Sequence, residues 1–246
     1  MPRTIAIGDI HGCSDALASI LRAINPKPDD TIITLGDYVD RGADSKGVLD
    51  MLIRLDGDCL LVPILGNHDE MMLKANDSKA ACQEWLEFGG ITTLDSYGGL
   101  GQINHVPANH FQFLQSCRSW FETDTHIFVH ANYDPALPLD QQDTQTLRWL
   151  SLLDYVPGRH LSGKVAVVGQ SCHIQPSFAG PLARSPKKKP RRNRSCGGAG
   201  TEKRPISNHT KIDRAMARIS ASICRPNPGL GMLVKSIPNC GCQSCE

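Results

Sequence analysis

Three similar motifs follow short apolar runs in the first 70 residues of this 246-residue chain. They read GDIHG at 8–12, GDYVDRG at 36–42 and GNHDE at 66–70. Each begins with a glycine, which lets the backbone turn sharply and approach a ligand closely. Each then presents Asp or Asn, and two of them add His. Any fold of this chain must therefore accommodate three polar turns directly after buried segments.

The segments between the motifs alternate between strand and helix patterns. Apolar runs predict five strands, at 4–7, 31–35, 59–65, 126–130 and 164–168. Helical periodicity predicts four helices, at 14–24, 45–55, 79–88 and 107–119. This alternation indicates an α/β (α+β) fold with parallel strands and helices on the sheet faces. Ligands bind at the carboxyl ends of the strands in such sheets, where the motifs lie.

Carboxylate, imidazole and amide groups are expected to converge at that sheet edge. The motifs and the later strand ending FVHAN supply five of them, namely Asp9, His11, Asp37, Asn67 and His130. This mixture of ligands suits Mn²⁺, Fe²⁺ or Zn²⁺, of which we take Mn²⁺ as the first expectation. Since the ligands exceed the needs of one ion, the sequence predicts two metal ions.

Charge divides the chain near residue 170. Residues 171–246 hold 14 Lys and Arg against 3 Asp and Glu, a net charge of +11, whereas residues 1–170 hold 12 against 22, a net charge of −10. Of 13 aromatic residues, only Phe178 lies after residue 170. Such a segment buries little apolar surface to offset its ordering entropy. We therefore predict one domain over 1–169 and a basic, Cys-containing, mostly disordered tail over 170–246.

The tail and the N-terminus also bear on partners and location. The run RSPKKKPRRNR at 184–194 could contact nucleic acid or another polyanion, but it lacks aromatic residues for base stacking, which favours a solvated linker. No apolar run approaches the length of a membrane span, and the N-terminus lacks the pattern of a signal peptide. The sequence thus predicts a cytoplasmic protein without a membrane partner.

Together the motifs resemble those of the calcineurin-like metallophosphoesterases, specifically the bacterial and phage branch of the PPP phosphoprotein phosphatases. The family patterns are GDxHG, GDxVDRG and GNHE, and the resemblance covers about residues 3–169. Asp69 stands where PPP enzymes usually carry Glu. The resemblance implies an αββα sandwich with two mixed sheets and the metals between them. The second sheet is expected to be incomplete, because the pattern stops after residue 169.

The resemblance also implies roles for the metal ligands. Asp9 and His11 would bind the first metal, Asn67 and His130 the second, and Asp37 would bridge both. A shared carboxylate holds two cations about 3.5–4 Å apart, and a water between them loses its proton near neutral pH. The hydroxide formed there would attack phosphorus.

Four other residues are expected to act on the phosphate and the leaving group. Arg41 suits the phosphate, because a guanidinium can grip two of its oxygens. His68 is the candidate general acid, oriented by Asp40. Arg148 is a candidate second phosphate-binding arginine, an ordinary surface arginine being the alternative.

The sequence departs from the family pattern after Gly169. Family members continue VVGHT, where the His completes the ligands of the second metal, but this chain reads VVGQSCH. Gln170 takes the place of that His, and an amide is a weaker ligand. His173, three residues further on, is an alternative ligand. A reading-frame change near residue 170 would explain why composition and charge change there together.

The resemblance implies a dinuclear-metal-dependent phosphomonoester hydrolase that acts on phosphoserine or phosphothreonine in proteins and peptides. Two alternatives stay open. The related symmetrical tetraphosphatases hydrolyse dinucleoside polyphosphates with the same metal ligands. The chain could also be an inactive binding remnant, because it lacks the last metal-ligating His.

Overall fold

The computed structural model describes residues 1–98 and 102–170, with the backbone of 221–224 and 232–235. Its first sheet has five strands, which are β1 (Thr4–Ile7), β2 (Thr31–Thr34), β3 (Leu60–Pro63), β7 (Ala221–Cys224) and β8 (Met232–Lys235). Their order is β3-β2-β1-β8-β7. All neighbours are parallel except β7 and β8, which are antiparallel.

The second sheet has three strands among the described residues. These are β4 (Trp120–Glu122), β5 (His126–Val129) and β6 (Val165–Val168). β5 lies antiparallel to β4 and parallel to β6. Both sheets are therefore mixed, as predicted, and each predicted strand agrees with an observed one within two residues at either end. The sequence pattern does not predict β4.

The tail contributes β7 and β8 to the first sheet. Apart from Gln170, the rest of the tail, including the basic run at 184–194 and His173, lies outside the described residues. The predicted disorder of the tail stays a prediction.

Seven α-helices accompany the sheets in the described part of the chain. They are α1 (Ser14–Ile24), α2 (Ser45–Leu55), α3 (Asn67–Asp77), α4 (Lys79–Trp85), α5 (Ile91–Ser96), α6 (Ala108–Ser116) and α7 (Thr144–Trp149). The predicted helix at 79–88 is divided: α4 ends at Trp85 and a π-helical turn follows over Leu86–Gly90, where Gly89 has a φ of 110°. The sequence pattern does not predict α3, α5 or α7. None of the described helices is long and apolar enough to cross a membrane.

Successive residues of a strand face opposite sides of the sheet and therefore pack into different layers. Ile5 and Ile7 of β1 belong to the core with the helix residues Leu17 and Leu49. Ala6, between them, belongs to a second core with residues of both sheets, including Phe128 of β5. The other face of β5 packs against Leu147 of α7 and its neighbours. The layer order is thus helix, sheet, sheet, helix, which confirms the predicted αββα sandwich.

Candidate metal centre

The loops after β1 and β2 are tied together beneath the site. The backbone N–H groups of Ile10 and His11 both donate to the carbonyl oxygen of Asp37, at 3.0 and 2.8 Å. β1 and β2 are parallel neighbours, so their carboxyl ends meet at one sheet edge. The backbone thereby fixes the distance between the first two motifs.

The Asp37 carboxylate lies between two imidazole rings. Its Oδ2 atom is 3.3 Å from His11 Nε2, and its Oδ1 atom is 3.4 Å from His130 Nε2. Two groups of potential ligand atoms share this carboxylate. One contains His11, Asp37 and His68, and the other contains Asp9, Asp37 and His130. Asp37 therefore lies where the two groups meet, and its predicted role as a bridging ligand stays a prediction.

Both rings have the tautomer that a metal ligand requires. Nδ1–H of His11 donates to the carbonyl oxygen of Val39 at 2.9 Å, and Nδ1–H of His130 donates to that of Leu35 at 2.7 Å. A carbonyl can only accept, so each Nδ1 carries a proton, and Nε2 of each ring is the atom that a metal ion would bind. His130 Nε2 also lies 3.0 Å from the side-chain oxygen of Asn67. His130 Nε2 and the Asn67 oxygen are thus close enough to bind the same cation.

Burial and mutual charge perturb the acids and bases of the site. Burial, helped by the charge of Asp37, raises the pKa of Asp9 to about 7. Burial lowers the pKa of His11 to about 4, so its ring is neutral near pH 7. Burial opposes ionisation of Asp37, but the nearby His130, His68 and His11 outweigh it and lower the pKa of Asp37. A divalent cation would favour the ionised form of both carboxylates.

Two buried oxygens of this region have no hydrogen-bond partner within the described part of the chain. They are Asp9 Oδ1 and Gln170 Oε1. The backbone N–H groups of Gly169 and Gln170 both donate to the carbonyl oxygen of His130 at 2.8 Å, and a Cβ on Gly169 would lie 3.0 Å from Asp9 Oδ1. A buried oxygen without a partner is costly, and both atoms are of the kind that bind divalent cations. The residues present therefore fit a metal centre.

The backbone around Asp37 is held by the start of α3. The Asp69 carboxylate accepts backbone N–H groups from Asp37 (2.8 Å), Tyr38 (2.9 Å) and Gly66 (3.0 Å). The N–H of His68, in the first turn of α3, donates to Asp37 Oδ1 at 3.1 Å. A Cβ on Gly66 would lie 2.3 Å from Asp37 Oδ1. Only glycine allows β3 and α3 to approach Asp37 so closely.

His68 and Asp40, predicted as general acid and orienting partner, are joined by a hydrogen bond. Nδ1–H of His68 donates to Asp40 Oδ2 at 2.7 Å, and both residues are buried. Burial opposes protonation of His68, but the hydrogen bond to Asp40 and the charges of Asp37 and Asp40 raise its pKa. The Arg41 guanidinium lies 3.0 Å from the Nε2 atoms of both His68 and His11. The three residues therefore surround the side of the site nearest His11.

Four residues of the site have an unusual backbone conformation. His11, Asp37, Asp40 and Arg41 all have positive φ, between 44° and 71°. Residues other than glycine rarely adopt this backbone conformation, and each such residue costs on the order of 1 kcal/mol or more of stability. Strain of this kind concentrates at functional sites.

Arg148 is already engaged by protein groups. Its guanidinium donates to Glu70 Oε1 at 3.2 Å and to Ser119 Oγ at 2.8 Å, while its buried Nε has no partner among the described residues. Trp149 Nε1 donates to the other carboxylate oxygen of Glu70 at 2.7 Å. The predicted phosphate contact of Arg148 stays a prediction.

The motifs do not reveal three residues that support the site. Asp69 stands out in the sequence only as a departure from the family pattern, yet it accepts three backbone N–H groups. Trp85 and Thr93 both contact the Asp40 carboxylate. They lie 45 and 53 residues from Asp40 in the chain, so only the tertiary structure could show these contacts.

Comparison with known proteins identifies the family of this chain and several relatives. The family model for calcineurin-like phosphoesterases matches residues 2–168. The serine/threonine-protein phosphatase 1 of Salmonella typhimurium is 32% identical over 135 residues, which is 52% of this chain and 57% of that protein. The symmetrical bis(5'-nucleosyl)-tetraphosphatase of Acidovorax sp. is 47% identical over 70 residues, 28% of this chain and 24% of that protein. The tetraphosphatase of Erwinia tasmaniensis is 46% identical over 99 residues, 37% and 35% of the two chains. The chain thus spans little more than half the length of the first relative and about a third or less of the others.

Proposed function

Because this chain belongs to the calcineurin-like phosphoesterases, a family of metal-dependent hydrolases, we propose that it hydrolyses phosphoserine and phosphothreonine in proteins with two divalent ions. The observation that carries the proposal is the position of Asp37. Its two carboxylate oxygens face one imidazole each, at 3.3 and 3.4 Å. A carboxylate between two ligand sets is suited to hold two cations at once.

The family pattern assigns Asp9, His11 and Asp37 to the first ion and Asp37, Asn67 and His130 to the second. The positions of Asp37, Asn67 and His130 support the second set, whereas the Asp9 carboxylate lies nearer to His130 than the pattern implies, in one group with Asp37 and His130. Mn²⁺ is the metal we expect. When bound, such a pair of ions supplies a water of lowered pKa as nucleophile and positive charge near the phosphate.

The remaining residues act on the substrate. Arg41 would bind two non-bridging phosphate oxygens, because a guanidinium can grip two of them at once and that of Arg41 lies at the site, where it donates to Nε2 of both His11 and His68. Once Arg41 turns to the phosphate, His68 Nε2 is free to be protonated and would donate that proton to the leaving alkoxide, while Asp40 holds its Nδ1–H. The bond from phosphorus to the leaving oxygen breaks as the proton reaches that oxygen. Asp40 stabilises the imidazolium form that donates the proton.

The protein substrate is supported by one relative and a competing substrate by others. The similarity to a serine/threonine-protein phosphatase extends over 135 residues, farther than the 70 and 99 residues shared with two tetraphosphatases. The tetraphosphatases are more similar within their shorter regions. Dinucleoside polyphosphate hydrolysis is therefore the second candidate function.

Activity with added Mn²⁺ tests the proposal. The purified 246-residue chain is assayed with a phosphoserine peptide and with diadenosine tetraphosphate, and Asp37→Asn serves as the inactive control. Release of phosphate from the peptide supports the first candidate, and cleavage of the tetraphosphate alone supports the second. No turnover of either substrate, although Mn²⁺ binds, would leave the chain as a binding protein and overturn the proposed activity.

A further inference from the structure

Asp40 is held by two residues from a part of the chain that carries no recognised motif. Trp85 is the last residue of α4, and Thr93 lies in α5. Both side chains are fully buried, as is Asp40. Between them runs the π-helical turn, whose close packing needs glycine, because a Cβ on Gly90 would lie 2.5 Å from the Trp85 ring.

The Asp40 carboxylate accepts three side-chain donors. Nδ1–H of His68 donates to Oδ2 at 2.7 Å. Nε1–H of Trp85 lies 2.9 Å from Oδ2 and 3.1 Å from Oδ1, and the Thr93 hydroxyl donates to Oδ1 at 2.7 Å. An indole nitrogen can only donate, so the direction of that bond is certain. The carboxylate cannot rotate without breaking one of these bonds.

Thr93 also holds the backbone of Asp40. The Asp40 N–H donates to Thr93 Oγ1 at 2.8 Å, and the Ser45 hydroxyl lies 3.0 Å from the same atom. Since the single hydroxyl proton of Thr93 goes to the carboxylate, Ser45 must be the donor to Thr93. Thr93 therefore binds both ends of a residue whose φ is 71°, a conformation that needs support from its surroundings.

We propose that Thr93 and Trp85 are positioning residues for the general acid: they fix the Asp40 carboxylate, and through it the ring of His68. In the described part of the chain neither side chain shares a hydrogen bond with His68, so their hydrogen bonds reach His68 through Asp40. The inference depends on the proposed role of His68 as the general acid. Loss of a positioning residue should slow proton transfer to the leaving group. It should not weaken phosphate binding, which depends on other residues.

Three conservative variants separate the hydrogen bonds from the packing. Thr93→Val removes the hydroxyl and keeps the shape, Thr93→Ser restores a hydroxyl, and Trp85→Phe removes the indole N–H. Thr92→Val is the matched control, because Thr92 Oγ1 donates to the Gly89 carbonyl at 2.9 Å on the same segment and shares no hydrogen bond with Asp40 among the described residues. Circular dichroism shows whether each variant is folded.

The first readout is the NMR spectrum of ¹⁵N-labelled histidine rings, which needs no activity. The signals of His68 are those absent from His68→Asn. We expect Thr93→Val and Trp85→Phe to shift or broaden the Nδ1–H signal of His68, and Thr93→Ser and Thr92→Val to leave it in place. An unchanged signal in both Thr93→Val and Trp85→Phe overturns the inference, whatever substrate the enzyme proves to have.

The second readout is kinetic. On an alkyl phosphate, Thr93→Val should lower kcat by about 10-fold, part of the 10² to 10⁴ that a positioned acid contributes, with little change in KM. In the His68→Asn background the same substitution should have no further effect. An equal loss in both backgrounds would show a role that does not act through His68. If His68→Asn itself leaves alkyl and aryl substrates equally affected, the proposed acid fails and the NMR result alone decides the positioning role.

Discussion

Replacing Asp69 by Asn should destabilise the protein even without metal. The carboxylate accepts three backbone N–H groups and is fully buried. An Asn oxygen in the position of Oδ2 keeps the bonds from Asp37 and Gly66, but its NH₂ group then faces the N–H of Tyr38. One hydrogen bond to a charged acceptor is lost, which costs about 1.5–3 kcal/mol, and a buried donor is left without a partner.

A second effect opposes this loss. Burial and the charge of Asp37 raise the pKa of Asp69 to about 7, so a neutral side chain relieves some repulsion between the two. We expect the balance to remain unfavourable, with the free energy of unfolding lowered by about 2 kcal/mol, because the three bonds also define the turn that bears Asp37. This is a large part of a typical stability of 5–15 kcal/mol.

Urea unfolding followed by tryptophan fluorescence measures the change. A chelator is present throughout, so that weaker metal binding does not contribute to the difference. Asp77→Asn is the control, because Asp77 is an exposed residue at the end of the same helix and should change stability by less than about 0.5 kcal/mol. A similarly small change for Asp69→Asn would refute the reasoning.

Three further predictions concern other parts of the molecule. His68→Asn should leave bound metal nearly unchanged and lower turnover of alkyl phosphates by roughly 10² to 10⁴, with a smaller loss on aryl phosphates, as steady-state kinetics and metal analysis would show. Gln170→His should tighten the weaker metal site by roughly 10- to 100-fold, and an unchanged Mn²⁺ titration would show that residue 170 is no ligand. The hydrogen bond from Arg3 holds the pKa of Asp30 at about 2, below the usual 3.8. Its contribution to stability should be complete above about pH 4 and disappear towards pH 2, so the stability difference between wild type and Arg3→Ala should shrink over that interval.

The sequence predicts the sheet edge well because its information there is local. Each motif places a glycine and its polar residues directly after a buried strand, so a parallel arrangement suffices to bring Asp9 and Asp37 near each other. The strands at 126–130 and 164–168 follow from apolar runs in the same way. These inferences need no knowledge of how distant segments pack.

The rest depends on contacts between distant segments. α3 begins inside GNHDE, a polar stretch whose hydrophobic periodicity is weak, and it is stabilised by its bonds to Asp37 and Tyr38. Trp85 and Thr93 resemble ordinary core residues in the sequence, and only their contacts with Asp40 distinguish them. β8 forms by pairing with β1, although it lies in a segment whose charge and composition predict disorder.

The four positive-φ residues limit how this protein can be redesigned. At His11, Asp37, Asp40 and Arg41 the backbone conformation is one that glycine adopts most easily, while the chemistry requires a side chain. Choosing amino acids for backbone compatibility would therefore place glycine at four positions of the site, and a more stable but inactive protein would result. Gains in thermal stability should be sought away from these loops, for example on the exposed faces of α1 and α2. Random mutagenesis selected for stability alone should likewise lose activity at these four positions first.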